Sequence, residues 1–186
     1  MTSIGTVLLF SWGIACATIG MQEPKVNADA LVLQDFKQRI DKYMELHKRL
    51  EKDAPPLKRT DEPAKIKASQ DALAAAIRSQ RASAKQGDIL TPEIAQLLRR
   101  LMAPEVKGKE GAETKKALKE DAPAAITLKV NASYPERAAL PTVPANLLAS
   151  LPQLPEDLEY RIVGNDLILR DVHANVIVDF TTSVIR

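Results

Sequence analysis

Within residues 33–50, the side chains Leu33, Phe36, Ile40, Tyr43, His47 and Leu50 recur at alternating steps of three and four. That spacing sets all six on one stripe of an α-helix. The rest of the surface is charged and mixed in sign. Six acidic and six basic side chains lie between Asp29 and Asp53, and Asp35–Arg39 and Glu45–Arg49 form favourable i,i+4 pairs. So narrow a stripe resembles a coiled-coil seam and needs a partner to cover it.

The neighbouring sequence offers that partner. Asn27 or Asp29 can cap the first helix, which should run to about Lys52, and Pro55-Pro56 stops it. A second helix is expected from about Asp61, with Pro63 in its first turn and Gly87 as its stop. Ile66, Leu73 and Ile77 continue a seam, with Gln70 and Ala84 between and beyond them. An antiparallel hairpin is the simplest arrangement that hides both stripes. Thr91-Pro92-Glu93 then opens a third, short helix whose apolar face is Ile94, Leu97, Leu98 and Leu101, and Pro104 ends it.

Residues 104–124 read as a charged linker. Five lysines and five acids fall between Glu105 and Asp121, so the stretch has little to bury beyond a helical turn or two near residues 115–119. From Ile126 the period changes to two. Ile126, Leu128 and Val130 suggest a strand, and residues 135–155 are studded with proline around one short helix near 146–150. Residues 158–163 and 166–171 flank Gly164-Asn165, a tight hairpin turn. Residues 172–175 make a second turn before a third strand at 176–180. Leu167, Leu169 and Ile177 are candidates for its buried face. Three short strands are marginal by themselves, so this meander should dock on the helices or pair with 126–130.

Residues 1–21 carry no charged side chain, and residues 4–19 are mostly apolar. That run is short for a bilayer span and the size of a signal-peptide core, with Ala15-Cys16-Ala17 as a small-x-small cleavage pattern. Residues 1–20 are therefore expected to be a signal peptide, placing the mature protein in the periplasm or outside the cell. Gly13-Ile14-Ala15-Cys16 also resembles a lipoprotein box. A membrane association follows only if Cys16 is lipidated or the segment stays uncleaved. Cys16 is the chain's only cysteine, so the rest can form no internal disulfide and no thiolate metal site.

A net charge of +2 with interleaved signs, and only 4% aromatic residues, argue against nucleic acid. Arg78, Arg81, Lys85, Arg99 and Arg100 could meet an anionic partner, but cations also suit helix ends and solvated faces. Asn131-Ala132-Ser133 fits the glycosylation pattern on three residues only. No Gly-rich phosphate loop, GxSxG or HExxH occurs. The two histidines, His47 and His173, lie far apart in sequence. His47 is expected to be a partly buried polar residue of the seam. His173 sits in a turn beside Asp171, where Asp166 and Asp179 could also approach and hold a divalent ion loosely. No catalytic, cofactor-binding or metal-ligating residue is assigned, and no cofactor is expected.

Pro55-Pro56-Leu57-Lys58, Ala84-Lys85-Gln86-Gly87-Asp88-Ile89 with Thr91-Pro92-Glu93, and Leu158-Glu159-Tyr160-Arg161 through Val178-Asp179-Phe180 together resemble an uncharacterised family of exported bacterial proteins. Tyr160-Arg161-Ile162-Val163-Gly164-Asn165-Asp166, with Val176-Ile177-Val178-Asp179, is similar to the C-terminal hairpin of periplasmic nickel/cobalt-homeostasis proteins of the RcnB type. The first resemblance implies export and a shared architecture; the second implies a hairpin and raises metal handling.

The expected fold is α+β. A helical hairpin and third helix fill 27–103, a charged linker 104–124, and a small antiparallel β-meander region 125–186. The expected role is that of a non-enzymatic envelope protein that binds a protein partner or itself. The alternative is an accessory divalent-metal-binding protein of the periplasm.

Overall fold

The computed structural model describes residues 27–55, 62–120, 126–135 and 143–185. The expected signal peptide, with Cys16, lies outside the described residues. Among the described residues, five helices precede a three-stranded antiparallel sheet, the α+β architecture that the periodicities indicate. The helices are α1 (Ala28–Asp53), α2 (Pro63–Gln80), α3 (Pro92–Met102), α4 (Gly108–Glu120) and α5 (Ala145–Ser150). The strands are β1 (Leu158–Val163), β2 (Asp166–Asp171) and β3 (Val176–Thr181), ordered β1-β2-β3. Among the described residues, no helix is long and apolar enough to cross a membrane.

Local chemistry sets the helix starts. Asn27 caps α1 by accepting the Asp29 N–H through its side chain, and Thr91 caps α3 by accepting the Ile94 N–H. Proline occupies the first turn of both α2 and α3, where its missing N–H costs nothing.

The middle of the α1 stripe is covered largely by elements other than the helix expected to cover it, while Leu33 stays exposed. Phe36, Ile40, Tyr43 and Met44 share one core with Ile89 and Leu90, with Ile94, Leu98 and Met102 of α3, and with Leu158, Tyr160, Leu167, Leu169 and Val178 of the sheet. The buried side chains of α2, Leu73, Ala74 and Ile77, form a separate cluster with Ala174 and Val176, touched by Leu50 and Ala54 of the first helix and its cap. Ile66 is exposed. The hairpin is real, but α3 and the sheet supply most of the burial that α1 needs. Each large aliphatic side chain hidden there is worth about 1.5–3 kcal/mol.

Three further expectations are corrected. The second helix ends at Gln80, short of Gly87, because residues 81–90 wrap a buried carboxylate. Asp179 Oδ1 accepts the Gly87 N–H at 3.0 Å, and its Oδ2 accepts those of Ile89 and Leu90 at 2.8 Å each. Gly87 takes φ +89 there, a conformation that favours glycine. The stretch expected to be a linker contains α4, with Val106 and Leu118 buried in the main core. A Cβ on Gly111 would stand 2.2 Å from the Val106 backbone, so this close approach requires glycine. Residues 126–130 form no strand. Ile126, Leu128 and Val130 instead pack, half-buried, against Tyr134, Ile168, Ile177 and Phe180 on the sheet face away from α1. With both faces covered, β3 is buried along its whole length.

Candidate metal centre

Asp171 ends β2 on the face turned towards α1. Leu167, Leu169 and Asp171 share that face through the two-residue period of a strand. The first two belong to the core, whereas the third is a carboxylate with 0% exposure. Such a group is tolerable only if its oxygens are satisfied. Oδ2 accepts the Tyr43 hydroxyl at 2.7 Å and pairs with His47 Nδ1 at 2.6 Å. Oδ1 accepts the Ala174 N–H at 2.8 Å.

The pairing fixes the histidine. An ionised carboxylate can only accept, so Nδ1 of His47 carries the proton and donates it. In the neutral form of the ring Nε2 is then left as a lone pair, so an ion would bind there in place of a proton. His47 is fully buried, and its Nε2 has no hydrogen-bond partner among the described residues. Glu51 Oε2 stands 3.8 Å from it.

The meander delivers the facing groups. Leu158 pairs with Asp171, which sets Asp157 beside Val172, and the Val172 N–H donates to the Asp157 carbonyl at 2.9 Å. His173 follows in the 172–175 turn, which is held by Asp171 Oδ1 and by Asn175 at φ 50. Its ring centroid lies 5.9 Å from that of His47. His173 Nδ1 is 3.2 Å from Glu51 Oε1 and 3.5 Å from Asp157 Oδ1. One donor atom from each of His47, Asp157 and His173 falls within 4.8 Å of the others. Burial lowers the His47 pKa, but the hydrogen bond and charge of Asp171, then the charges of Asp157 and Glu51, outweigh it and raise the value above the ordinary one. Burial pushes Tyr43 far up, and the Asp171 charge and hydrogen bond add to it, so its hydroxyl stays a donor.

Asp166 and Asp179, expected near His173, are committed elsewhere. Asp166 accepts the Ser183 N–H, and Asp179 the N–H groups of the 87–90 turn and of Phe180. Asp171 is near the cluster but stands behind His47 as its orienting partner. The oxygens that do converge are those of Asp157 and Glu51, which sequence reasoning missed. Glu51 had a visible signal, one helical turn after His47. Asp157 had none, because only strand register brings it in.

Four of the five cationic side chains take structural roles, and the fifth, Lys85, is exposed. Arg78 donates to Asn131 O and Ser133 Oγ, and Arg81 to Val178 O and to Asn131 Oδ1. Arg99 donates to Thr182 O, and Arg100 pairs with Asp29. The Asn131 amide is itself engaged, donating to the Arg81 carbonyl.

No family model, no curated protein and no solved structure matches this chain. The chemistry of the site therefore rests on its own donors. Two imidazoles and neighbouring carboxylates, with one imidazole oriented from behind by a buried carboxylate, form a donor set that suits a divalent ion.

Proposed function

We propose that this chain is a non-enzymatic, exported protein that binds a divalent metal ion through His47, Asp157 and His173. The observation that carries the reading is the buried Nε2 of His47, without a hydrogen-bond partner among the described residues, on a ring whose Nδ1 is held by Asp171 and which offers a donor atom within 4.8 Å of donors on Asp157 and His173. A buried nitrogen without a partner costs roughly 1–3 kcal/mol, which an ion would recover. Calorimetric titration of the full chain tests it. One ion per chain at micromolar strength is expected, and no binding tighter than about 1 mM for zinc, nickel, cobalt or calcium rejects it.

Export rests on residues 1–20, and N-terminal sequencing with intact mass of protein from the host envelope tests it. The same measurement reports whether Cys16 is lipidated. A protein partner or self-association is the second reading, supported by the exposed side chains of Leu31, Leu33 and Ile66 on the first two helices. A sedimentation coefficient independent of concentration counts against self-association. Nucleic acid has no place in this proposal.

A further inference from the structure

We infer that Glu51 is a fourth ligand of this centre, giving a closed site of two nitrogens and two oxygens that selects a first-row transition ion such as Zn2+ over Ca2+ and Mg2+. The inference rests on the metal-binding reading and goes beyond it in ligand number and ion class.

The helix supplies the first part of the case. His47 and Glu51 are one turn apart on α1, so both side chains leave the same face. The Glu51 carboxylate straddles the two imidazoles, with Oε2 3.8 Å from His47 Nε2 and Oε1 3.2 Å from His173 Nδ1. Asp157 Oδ1 lies 3.5 Å from His173 Nδ1. Zinc bonds of about 2.0–2.2 Å in a tetrahedron require donors about 3.3–3.6 Å apart. The three separations at Glu51 and His173, 3.2, 3.5 and 3.8 Å, lie near that edge length, and Glu51, which stands outside the 4.8 Å cluster of His47, Asp157 and His173, must swing inward to join it. The adjustment falls on side chains free to make it, since Glu51 is 44% and His173 40% exposed, while the buried His47 stays fixed.

Donor type decides the ion. Ca2+ takes six to eight oxygens, and Mg2+ keeps an octahedral shell of oxygen and water. Two imidazoles with two carboxylates match neither, and they match the nitrogen and oxygen ligands that zinc accepts in fourfold coordination. Two carboxylates also balance a dipositive charge. Glu51 sits two residues before the C-terminal end of α1, where the backbone carbonyls add a negative potential favourable to a cation. Behind the first ligand, the chain Tyr43–Asp171–His47 supplies the outer shell that orients a ligating imidazole.

The full chain and the variant Glu51→Gln, each shown folded by circular dichroism, are titrated with Zn2+ by calorimetry and with Co2+ by visible absorption. Expected for the unaltered chain are one ion per chain, the intense visible bands of four-coordinate Co2+, and no displacement of Zn2+ by millimolar Ca2+. Glu51→Gln should weaken Zn2+ binding at least ten-fold and dim those bands. Binding of Zn2+ by the unaltered chain with no change in Glu51→Gln, or with the faint spectrum of six-coordinate Co2+, overturns the fourth ligand and leaves metal binding standing. Displacement of Zn2+ by Ca2+ overturns the ion class. Failure of the unaltered chain to bind any of the ions overturns both readings together.

Discussion

Replacing Asp171 by asparagine separates the structural and metal-directing roles of one buried group. The carboxylate receives three hydrogen bonds, from Tyr43, His47 and the Ala174 N–H, at 2.7, 2.6 and 2.8 Å. Asparagine can keep the Ala174 bond through its oxygen, but it then presents an NH2 group to Tyr43 and His47. Exchanging two charge-assisted bonds for two neutral ones costs about 1–3 kcal/mol in all. The NH2 must donate to His47 Nδ1, which forces the ring proton onto Nε2 and blocks that nitrogen as a ligand. Metal affinity should therefore fall by about 10–100-fold or more, the usual scale for losing an outer-shell partner. Urea unfolding of the metal-free full chain reads the first effect, calorimetry with Zn2+ the second, and 15N NMR of the imidazole the tautomer. Affinity within two-fold of the unaltered chain, with Nε2 now protonated, would refute the reasoning.

Other outcomes follow from the same packing. Asp179→Ala strips the acceptor from the N–H groups of Gly87, Ile89, Leu90 and Phe180, three of them in buried bonds, and should cost more than about 3 kcal/mol in chemical unfolding. Tyr160→Phe removes a buried hydroxyl that has no hydrogen-bond partner among the described residues, so the denaturation midpoint should rise, by about 1 kcal/mol in stability; a fall would show that the hydroxyl is satisfied. Burial raises the Glu159 carboxyl, but hydrogen bonds and charge from Arg161 and Arg170 prevail and hold it below the ordinary glutamate value. A depressed folded value means that its stabilisation is present above the unfolded pKa and is lost as pH falls through the folded one. Stability between pH 6 and pH 3 should therefore decline less steeply in Glu159→Gln, measured as the urea midpoint.

Elements governed by local chemistry were legible in the sequence. The caps at Asn27 and Thr91, the Pro63 and Pro92 starts, the Gly164-Asn165 turn and the three strands all follow from short-range spacing. What could not be read was which surface meets which. The α1 stripe demanded cover, and the periodicity of Leu73 and Ile77 looked like that cover, yet nothing in either pattern forbade α3 and the sheet from taking the place. Residues 126–130 alternate as a strand would, but alternation is also satisfied by lying half-buried across a sheet face. The candidate centre was the least legible part. His47 and His173 are separated by more than a hundred residues, and strand register, not sequence spacing, sets Asp157 beside them. Only the His47–Glu51 turn spacing hinted at it.

The most direct measurement is a crystal structure of the full chain soaked or grown with Zn2+, with anomalous data collected at the zinc edge. The expected result is one peak about 2.0–2.2 Å from His47 Nε2, His173 Nδ1 and carboxylate oxygens of Asp157 and Glu51. A peak elsewhere on the surface, or His47 Nε2 hydrogen-bonded and turned away from any ion, would contradict it.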